Sequence, residues 1–155
     1  MHDLRAPLLD APPLRRYGLP AWEYRDSPSA AAHFTEELGG LYIVRLISLH
    51  VRLVTDANVA NRTVLVEYRD AADNRLDFSG APVVQTATDT VDWIFSAFQG
   101  QAEWEIDDSI LVPLKPSLLP PTFDFRVFVD NIQAGDQLSR IRFKWERFYS
   151  DVALS

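Results

Sequence analysis

The residues best suited to catalysis are three histidines, His2, His33 and His50. None stands in a His-x-His or His-Glu-x-x-His spacing, so the sequence predicts neither a cupin-type nor a zincin-type metal site. Ser48 lies two residues before His50, and both would project from one face of a β-strand. A nucleophile and its base also need an orienting carboxylate and oxyanion donors. We therefore interpret Ser48 and His50 as a polar pair on a solvated strand face.

Motifs for cofactors are missing as well. The chain has no cysteine, and so no disulfide, thiolate nucleophile or cysteine-ligated metal centre. None of its six glycines is spaced as in a Walker loop or a dinucleotide fingerprint. The sequence therefore predicts a protein that is not an enzyme, with no catalytic residue and no cofactor.

Clustered carboxylates are the remaining chemical possibility, because their oxygens could bind Ca²⁺. Two segments are acidic: Asp70, Asp73, Asn74 and Asp77 in one, and Glu103, Glu105, Asp107 and Asp108 in the other. Neither has the spacing of an EF-hand, and no pair is set apart as in a glycosidase. We interpret both as solvated acidic loops and predict no bound metal.

Tryptophans offer a rival function, since exposed aromatic rings on a β-sandwich can stack on sugars. Trp93 and Trp145 are in register with apolar neighbours on the same strand face, which favours core packing. Trp104 stands between Glu103 and Glu105, and its neighbours favour exposure. A carbohydrate-binding module therefore stays an alternative, with Trp104 as its first candidate residue.

Charge and hydropathy exclude two partner classes. The chain has 15 Lys and Arg against 22 Asp and Glu, a formal net charge of −7. Nucleic-acid binding depends on neutralising phosphates, so we predict no nucleic-acid partner. No apolar run approaches the roughly 20 residues of a transmembrane helix, and the first residues are no signal peptide. We expect synthesis in the cytoplasm and no membrane contact.

Residues 1–40 are predicted to form an extended N-terminal arm. Five of the ten prolines lie there, and each fixes φ and removes a backbone donor. The one helix predicted in this segment is Ser29–Leu38, capped by Ser27 or Ser29 and ended by Gly39 and Gly40.

The arm is too apolar for a solvated tail. We expect it to lie across another surface, either the body of the same chain or a neighbouring subunit. The predicted partner-binding residues are Leu8, Leu9, Leu14, Tyr17, Trp22 and Tyr24.

Residues 41–150 alternate with the period of β-strands. In Leu41–Val54 the pattern places Ile43, Ile47, Leu49, Val51 and Leu53 on one face and Val44, Leu46, Ser48, His50 and Arg52 on the other. Val64, Val66 and Tyr68 share a face before a hairpin loop at 70–74. Two short strands are predicted within 102–114.

The last strand, Leu138–Phe148, has the clearest pattern of the chain. It directs Ile141, Phe143 and Trp145 inward and Arg140, Arg142, Lys144 and Glu146 outward. Seven or eight such strands predict an all-β fold, an antiparallel two-sheet sandwich that is jelly-roll-like. Residues 151–155 are predicted to be a short C-terminal tail.

Two stretches resemble a known group of proteins. Arg52–Tyr68 resembles the segment "LVTDA-x-VANR-x-V", and Leu119–Arg126 with Asn131–Ser139 resembles "LP-x-G … N-x-QAGDQ-x-S". Both segments occur in small structural proteins of tailed bacteriophages. The glycine of the second pattern is replaced here by Pro121-Thr122. As turn residues, Asp56 and Asn58 can satisfy loop amides, and Gly135 can supply a positive φ.

The resemblance implies a virion structural protein, found in the virion after assembly in the host bacterial cytoplasm. Within the particle we favour a head decoration or cement protein that binds the major capsid protein, or other virion proteins, through its arm. We expect a homo-oligomer, with a trimer favoured. The alternatives are a neck or tail protein at the head–tail junction, or a carbohydrate-binding module for host attachment.

Overall fold

The computed structural model describes residues 15–16, 20–40, 42–97, 104–106 and 108–149, of which 15–16 and 104–106 are described by their backbone alone. These residues form twelve strands and no helix, which confirms the all-β class. The strands are β1 (Arg15–Arg16), β2 (Trp22–Arg25), β3 (Phe34–Glu37), β4 (Tyr42–Val54), β5 (Thr63–Arg69), β6 (Arg75–Gly80), β7 (Thr90–Ser96), β8 (Trp104–Ile106), β9 (Ser109–Pro113), β10 (Leu118–Leu119), β11 (Asp124–Asp130) and β12 (Gln137–Tyr149).

The strands form two sheets. The larger has the order β1-β12-β4-β7-β9-β8, with β2 also on β12 and β10 on β4. The smaller has the order β3-β11-β5-β6. Every pair is antiparallel except β7 and β9. Strands β1 and β2 follow one another along the edge of β12 that β4 leaves free.

One hydrophobic core fills the space between the sheets. Phe125 of the smaller sheet meets Phe143 of the larger edge to face, with ring centroids 5.2 Å apart. Trp93, Phe95 and Val66 are fully buried in the same cluster. Face-to-face burial of this kind is what the alternating strands predicted, and it gives a sandwich-like arrangement.

The predicted helix Ser29–Leu38 is wrong. Phe34–Glu37 is strand β3, which pairs with Asp124–Val127 of β11. Ala31 has a φ of 58°, a left-handed conformation that no α-helix contains, and its amide donates to the carbonyl of Asp136 at 2.9 Å. Pairing with β11 thus overrides a weak helix propensity in this segment.

The predicted faces of β4 are right only in its second half. Ile47 has no residue opposite it, because Ser48 pairs with Lys144 while Leu46 already pairs with Trp145. This β-bulge turns the alternation over, so that Val44 and Leu46 enter the core before it and Leu49 enters after it. Ile43 stays outside the core cluster.

The N-terminal segment contributes to both sheets where the structure describes it. Strand β2 lies on β12 in the larger sheet, and β3 forms one edge of the smaller sheet. The predicted binding residues Leu8, Leu9, Leu14 and Tyr17 lie outside the described residues, as does the tail 151–155. No helix in the described ranges is long and apolar enough to cross a membrane.

Candidate functional site

The two stretches that carry the resemblance meet at one end of the sandwich, around Arg62. Its side chain is fully buried and uses all five of its N–H donors. Nε and Nη2 donate to the two carboxylate oxygens of Asp136 at 2.9 and 3.0 Å, and Nη2 donates also to Asp56 at 2.7 Å. Nη1 donates to the carbonyls of Asn58 and Ala60.

Asp136 is equally saturated, since each of its buried oxygens accepts two hydrogen bonds. Besides Arg62, the donors are the backbone amides of Asp56 at 2.9 Å and Gln133 at 2.8 Å. Burial alone would raise the pKa of Asp136, but the Arg62 and amide hydrogen bonds outweigh it and the pKa lies below its usual range. We name Arg62, Asp56, Asn58, Gln133 and Asp136 the Arg62 cluster.

The role of Gly135 in this cluster differs from the predicted one, which was to supply a positive φ. It does not have a positive φ; among the described glycines only Gly40 does. A Cβ atom at Gly135 would instead lie 2.8 Å from the Cβ of Asp56, closer than two such atoms can approach. Glycine is therefore needed for close packing of the two loops. Asp56 accepts the amides of Asn58 and Gly135, as the turn interpretation expected.

Thr122 occupies the position where the resembling pattern has glycine. Its φ is 78°, a conformation that glycine adopts freely and a β-branched residue rarely does. Its amide donates to the carbonyl of Leu38 at 2.9 Å, which holds the turn against the segment after β3. The backbone thus has the shape of a glycine turn although the residue is threonine.

Of the sequence-predicted binding residues, the structure describes Trp22 and Tyr24. Both lie on β2, opposite Lys144 and Arg142 of β12, so their side chains join the outer face of the larger sheet. Trp22 is 40% exposed and Tyr24 is 68% exposed. The Trp22 ring packs edge-on against His50 with centroids 4.8 Å apart.

A cleft of about 440 Å³ opens on this outer face, and we name it the outer-face cleft. Its polar lining residues are Tyr24, His50, Asp92, Ser109, Arg140 and Arg142, and Ile94 supplies an apolar wall. Five strands contribute: Arg142, His50 and Ile94 are successive partners across β12, β4 and β7, and Tyr24 and Ser109 come from the flanking strands β2 and β9.

His50 is neutral in this cleft at physiological pH. Burial is the main cause that lowers its pKa to about 4; the positive charge of Arg142 adds to it and Asp92 opposes it. Arg142 donates from Nε to Nδ1 of His50 at 3.2 Å. Nδ1 is thus the acceptor, and Nε2 carries the imidazole proton.

Arg140 and Arg142 border the cleft and form no ion pair with a carboxylate of the described residues, although their charges add to the Arg52 hydrogen bond in lowering the pKa of Asp92. Arg140 has a φ of 50° and lies in a second β-bulge, where β12 has one more residue than β4 between Ser139 and Arg142. The nearby Arg52 differs, because both oxygens of Asp92 accept its hydrogen bonds at 2.8 and 2.6 Å.

Ser48 and His50 have separate partners in the fold. The Ser48 hydroxyl donates to the carbonyl of Phe95 at 3.1 Å, while His50 accepts from Arg142. Ser48 and His50 are therefore not hydrogen-bonded to each other.

The carboxylates of the acidic hairpin at 70–77 are engaged by other groups of the protein. Asp70 accepts the amides of Ala72 and Asn74, and Asp73 and Asp77 form ion pairs with Arg126 and Lys115. No group of three or more metal-binding side chains occurs in the part of the chain that the structure describes.

The tryptophans divide as the alternation predicted. Trp93 is fully buried and its indole donates to Gln85 at 3.0 Å. Trp145 is 9% exposed and donates to Glu23 at 2.7 Å. The side chain of Trp104 lies outside the described residues, so the predicted sugar-binding residue stays a prediction.

The outer-face cleft is the feature that sequence analysis missed. Its residues come from β2, β4, β7, β9 and β12 and are far apart in the chain. Comparison with known protein families, with characterised proteins and with solved structures finds no match for this chain.

Proposed function

We propose that this chain is a non-catalytic structural protein of a tailed-phage virion. The supporting observation is that both resembling stretches supply the Arg62 cluster, so the resemblance concerns one connected structural unit. The left-handed backbone at Thr122 supports the proposal further, because the resembling pattern has glycine there. Location in the virion after assembly in the host bacterial cytoplasm is part of the same proposal.

Within the virion, the proposed position is the head surface, as a decoration or cement protein on the major capsid protein. Within the all-β class, the proposed topology is a jelly-roll-like sandwich with an extended, proline-rich arm. The supporting observation is that the chain passes back and forth between the sheets: β4, β7 and β12 belong to the larger sheet, and β5 and β11 belong to the smaller one.

The proposed contact surface joins the arm to β2. Trp22 and Tyr24 project from β2 with exposed rings, and aromatic side chains are typical anchors of protein interfaces. Leu8, Leu9, Leu14 and Tyr17 precede them in the sequence. In a trimer, three such arms would bind a shell together, so that weak single contacts add up.

Copy number in purified virions tests the position. Quantitative mass spectrometry should find the chain at hundreds of copies per particle if it decorates the head, since a shell repeats its surface many times. A few copies or a few dozen would instead favour the neck or tail alternative. Absence of the chain from virions would overturn the proposal of a structural protein.

Two variants test the contact surface. Deletion of residues 1–14 removes Leu8, Leu9 and Leu14 but keeps β1, and Trp22→Ala removes an exposed ring. Both should lower particle occupancy at least about tenfold if these side chains anchor the contact. Phe78→Ala is the matched control, because Phe78 is 43% exposed and lies on β6, in the other sheet. Unchanged occupancy in the first two variants would contradict the proposed surface.

A further inference from the structure

The outer-face cleft combines two unpaired cations with a protein of net charge −7. The guanidinium groups of Arg140 and Arg142 border it and have no carboxylate partner in the described ranges. Arg142 uses Nε for His50 and lies 5.8 Å from the Trp22 ring centroid, and its two terminal nitrogens donate no hydrogen bond to the residues that the structure describes. A planar guanidinium with free terminal donors suits a carboxylate, which can accept two hydrogen bonds from it.

The charge of the lining fits one negative charge rather than two. Asp92 also lines the cleft, and the charges of Arg140 and Arg142 act on its carboxylate, so these three lining groups together carry one net positive charge. A dianion such as phosphate would approach the Asp92 carboxylate and be repelled by it. His50 adds no charge, since its imidazole is neutral at physiological pH.

The remaining polar atoms suit hydroxyl groups. The Nε2–H of His50 is a donor, and the Ser109 hydroxyl can donate and accept. Each Asp92 oxygen accepts one hydrogen bond from Arg52 and can accept another. Donors and acceptors on one side of the two arginines suit a ligand with several hydroxyls and one carboxylate.

Size and aromatic lining point to a sugar ring. The cleft volume of about 440 Å³ is within the range of small-molecule sites. The Tyr24 ring stands at its border and is 68% exposed, so a face is open for stacking. Ile94 offers a second apolar contact on the floor.

From these four features we propose that the outer-face cleft binds a saccharide unit carrying one carboxylate, of the hexuronate class. Arg140 and Arg142 hold the carboxylate, Tyr24 stacks on the ring, and His50, Asp92 and Ser109 bind the hydroxyls. The inference rests on the lining of the cleft and not on the proposed role in a virion; of its residues, Tyr24 also belongs to the proposed contact surface.

Titration of the full chain with an oligogalacturonate tests the site, with isothermal calorimetry and amide NMR shifts as readouts. The matched neutral galactose oligomer and inorganic phosphate serve as competing probes. We expect saturable uronate binding at least about tenfold tighter than binding of either probe, because only the uronate offers both a carboxylate and hydroxyls. Shifts should concentrate on β4, β7 and β12.

Variants assign the contacts. Arg142→Gln and Arg140→Asn should each weaken uronate binding about tenfold, the loss of one charged hydrogen-bonding partner. Asparagine is chosen because it tolerates the left-handed backbone at position 140. Tyr24→Leu should weaken binding of the uronate as well. Arg126→Gln, on the smaller sheet, should leave binding unchanged.

Thermal unfolding of each variant separates lost binding from lost folding, and Arg140→Asn and Tyr24→Leu change side chains that are exposed to solvent. No saturable uronate binding, equal binding of the neutral oligomer or of phosphate, or full binding by Arg140→Asn and Arg142→Gln would each overturn the site. Because the readout is sugar binding, failure here leaves the copy-number test of the virion role unaffected.

Discussion

The Arg62 cluster and the outer-face cleft both contain arginines and carboxylates, yet they are built in opposite ways. In the cluster all five donors of Arg62 are used, each Asp136 oxygen accepts two hydrogen bonds, and both of these residues are fully buried. In the cleft Arg140 and Arg142 are exposed, and neither forms an ion pair with a carboxylate in the part of the chain that the structure describes. A saturated arginine can hold two loops together, whereas an unsaturated one can bind something else.

The same contrast appears in the backbone. Gly135 brings two loops so close that no side chain fits between them, which serves packing alone. Arg140 adopts a left-handed φ in a bulge at the border of the cleft. Strain of this kind at a bulge is common beside binding sites, where it redirects a side chain.

The largest expected effect is that of Arg62→Ala. It leaves the buried Asp136 carboxylate without its counter-ion, and breaking a buried pair costs about 3–5 kcal/mol of unfolding free energy. Denaturation with urea measures it. Lys115→Ala is the control, because Lys115 and Asp77 form an ion pair whose two side chains are both exposed to solvent, and it should cost less than about 1 kcal/mol. Equal effects of the two substitutions would show that the cluster is no more important than a surface pair.

Gly135→Ala should have the next largest effect. The new methyl group would collide with the Cβ of Asp56, and overpacking of this kind costs about 1–3 kcal/mol. Gly39→Ala is the matched control, since a Cβ there meets no atom within 4 Å. The same urea titration compares them. A loss at Gly39 as large as at Gly135 would show that close packing is not the reason for glycine in this loop.

Thr122→Gly should stabilise the protein by about 1 kcal/mol. It relieves a φ of 78° that costs a non-glycine residue of the order of 1–3 kcal/mol, and part of this gain is offset by the flexibility of glycine in the unfolded chain. Thr90→Gly, in an exposed position of β7, should destabilise. If Thr122→Gly also destabilises, the threonine side chain makes contacts that outweigh the strain.

Much of the core could be predicted from the sequence, because burial in a sheet follows the alternation of side chains. Val64, Val66 and Tyr68, predicted to share one strand face, are all buried, and so are Ile141 and Phe143, which were predicted to point inward. The prediction was wrong where a single extra residue shifts the register, as at Ile47. A bulge depends on the partner strand, so the sequence of β4 alone does not contain it.

The functional features were harder to predict, since they depend on contacts across the chain. Asp56 and Gly135 could be recognised as turn residues, but their contact joins segments 79 residues apart. Glu146, predicted to face outward, is 9% exposed because Arg45 of the neighbouring strand covers it with an ion pair. Trp22 and Tyr24 were identified by their apolar character, and their neighbours Arg142 and His50 only by strand pairing.

The smallest expected effect on stability is that of the protonation of His50. The pKa of His50 also reports how far the cleft is shielded from water. NMR titration should give His50 a pKa of about 4, so its imidazole stays neutral where an exposed histidine would be charged. Because the unfolded chain binds this proton at higher pH than the folded chain, the contribution of His50 to stability falls as the pH drops from about 6.5 toward 4.

Arg142→Gln should raise the pKa of His50, since it removes a neighbouring positive charge, but not to the value of an exposed histidine, because burial is the larger cause. Arg126→Gln should leave His50 unchanged and raise the pKa of His33, which burial and Arg126 lower. An ordinary pKa near 6.5 for His50 in the unaltered protein would mean that the cleft is open to water. In that case a charged imidazole would join Arg140 and Arg142 below about pH 6.5, and at such pH the lining would favour a dianion over a single carboxylate.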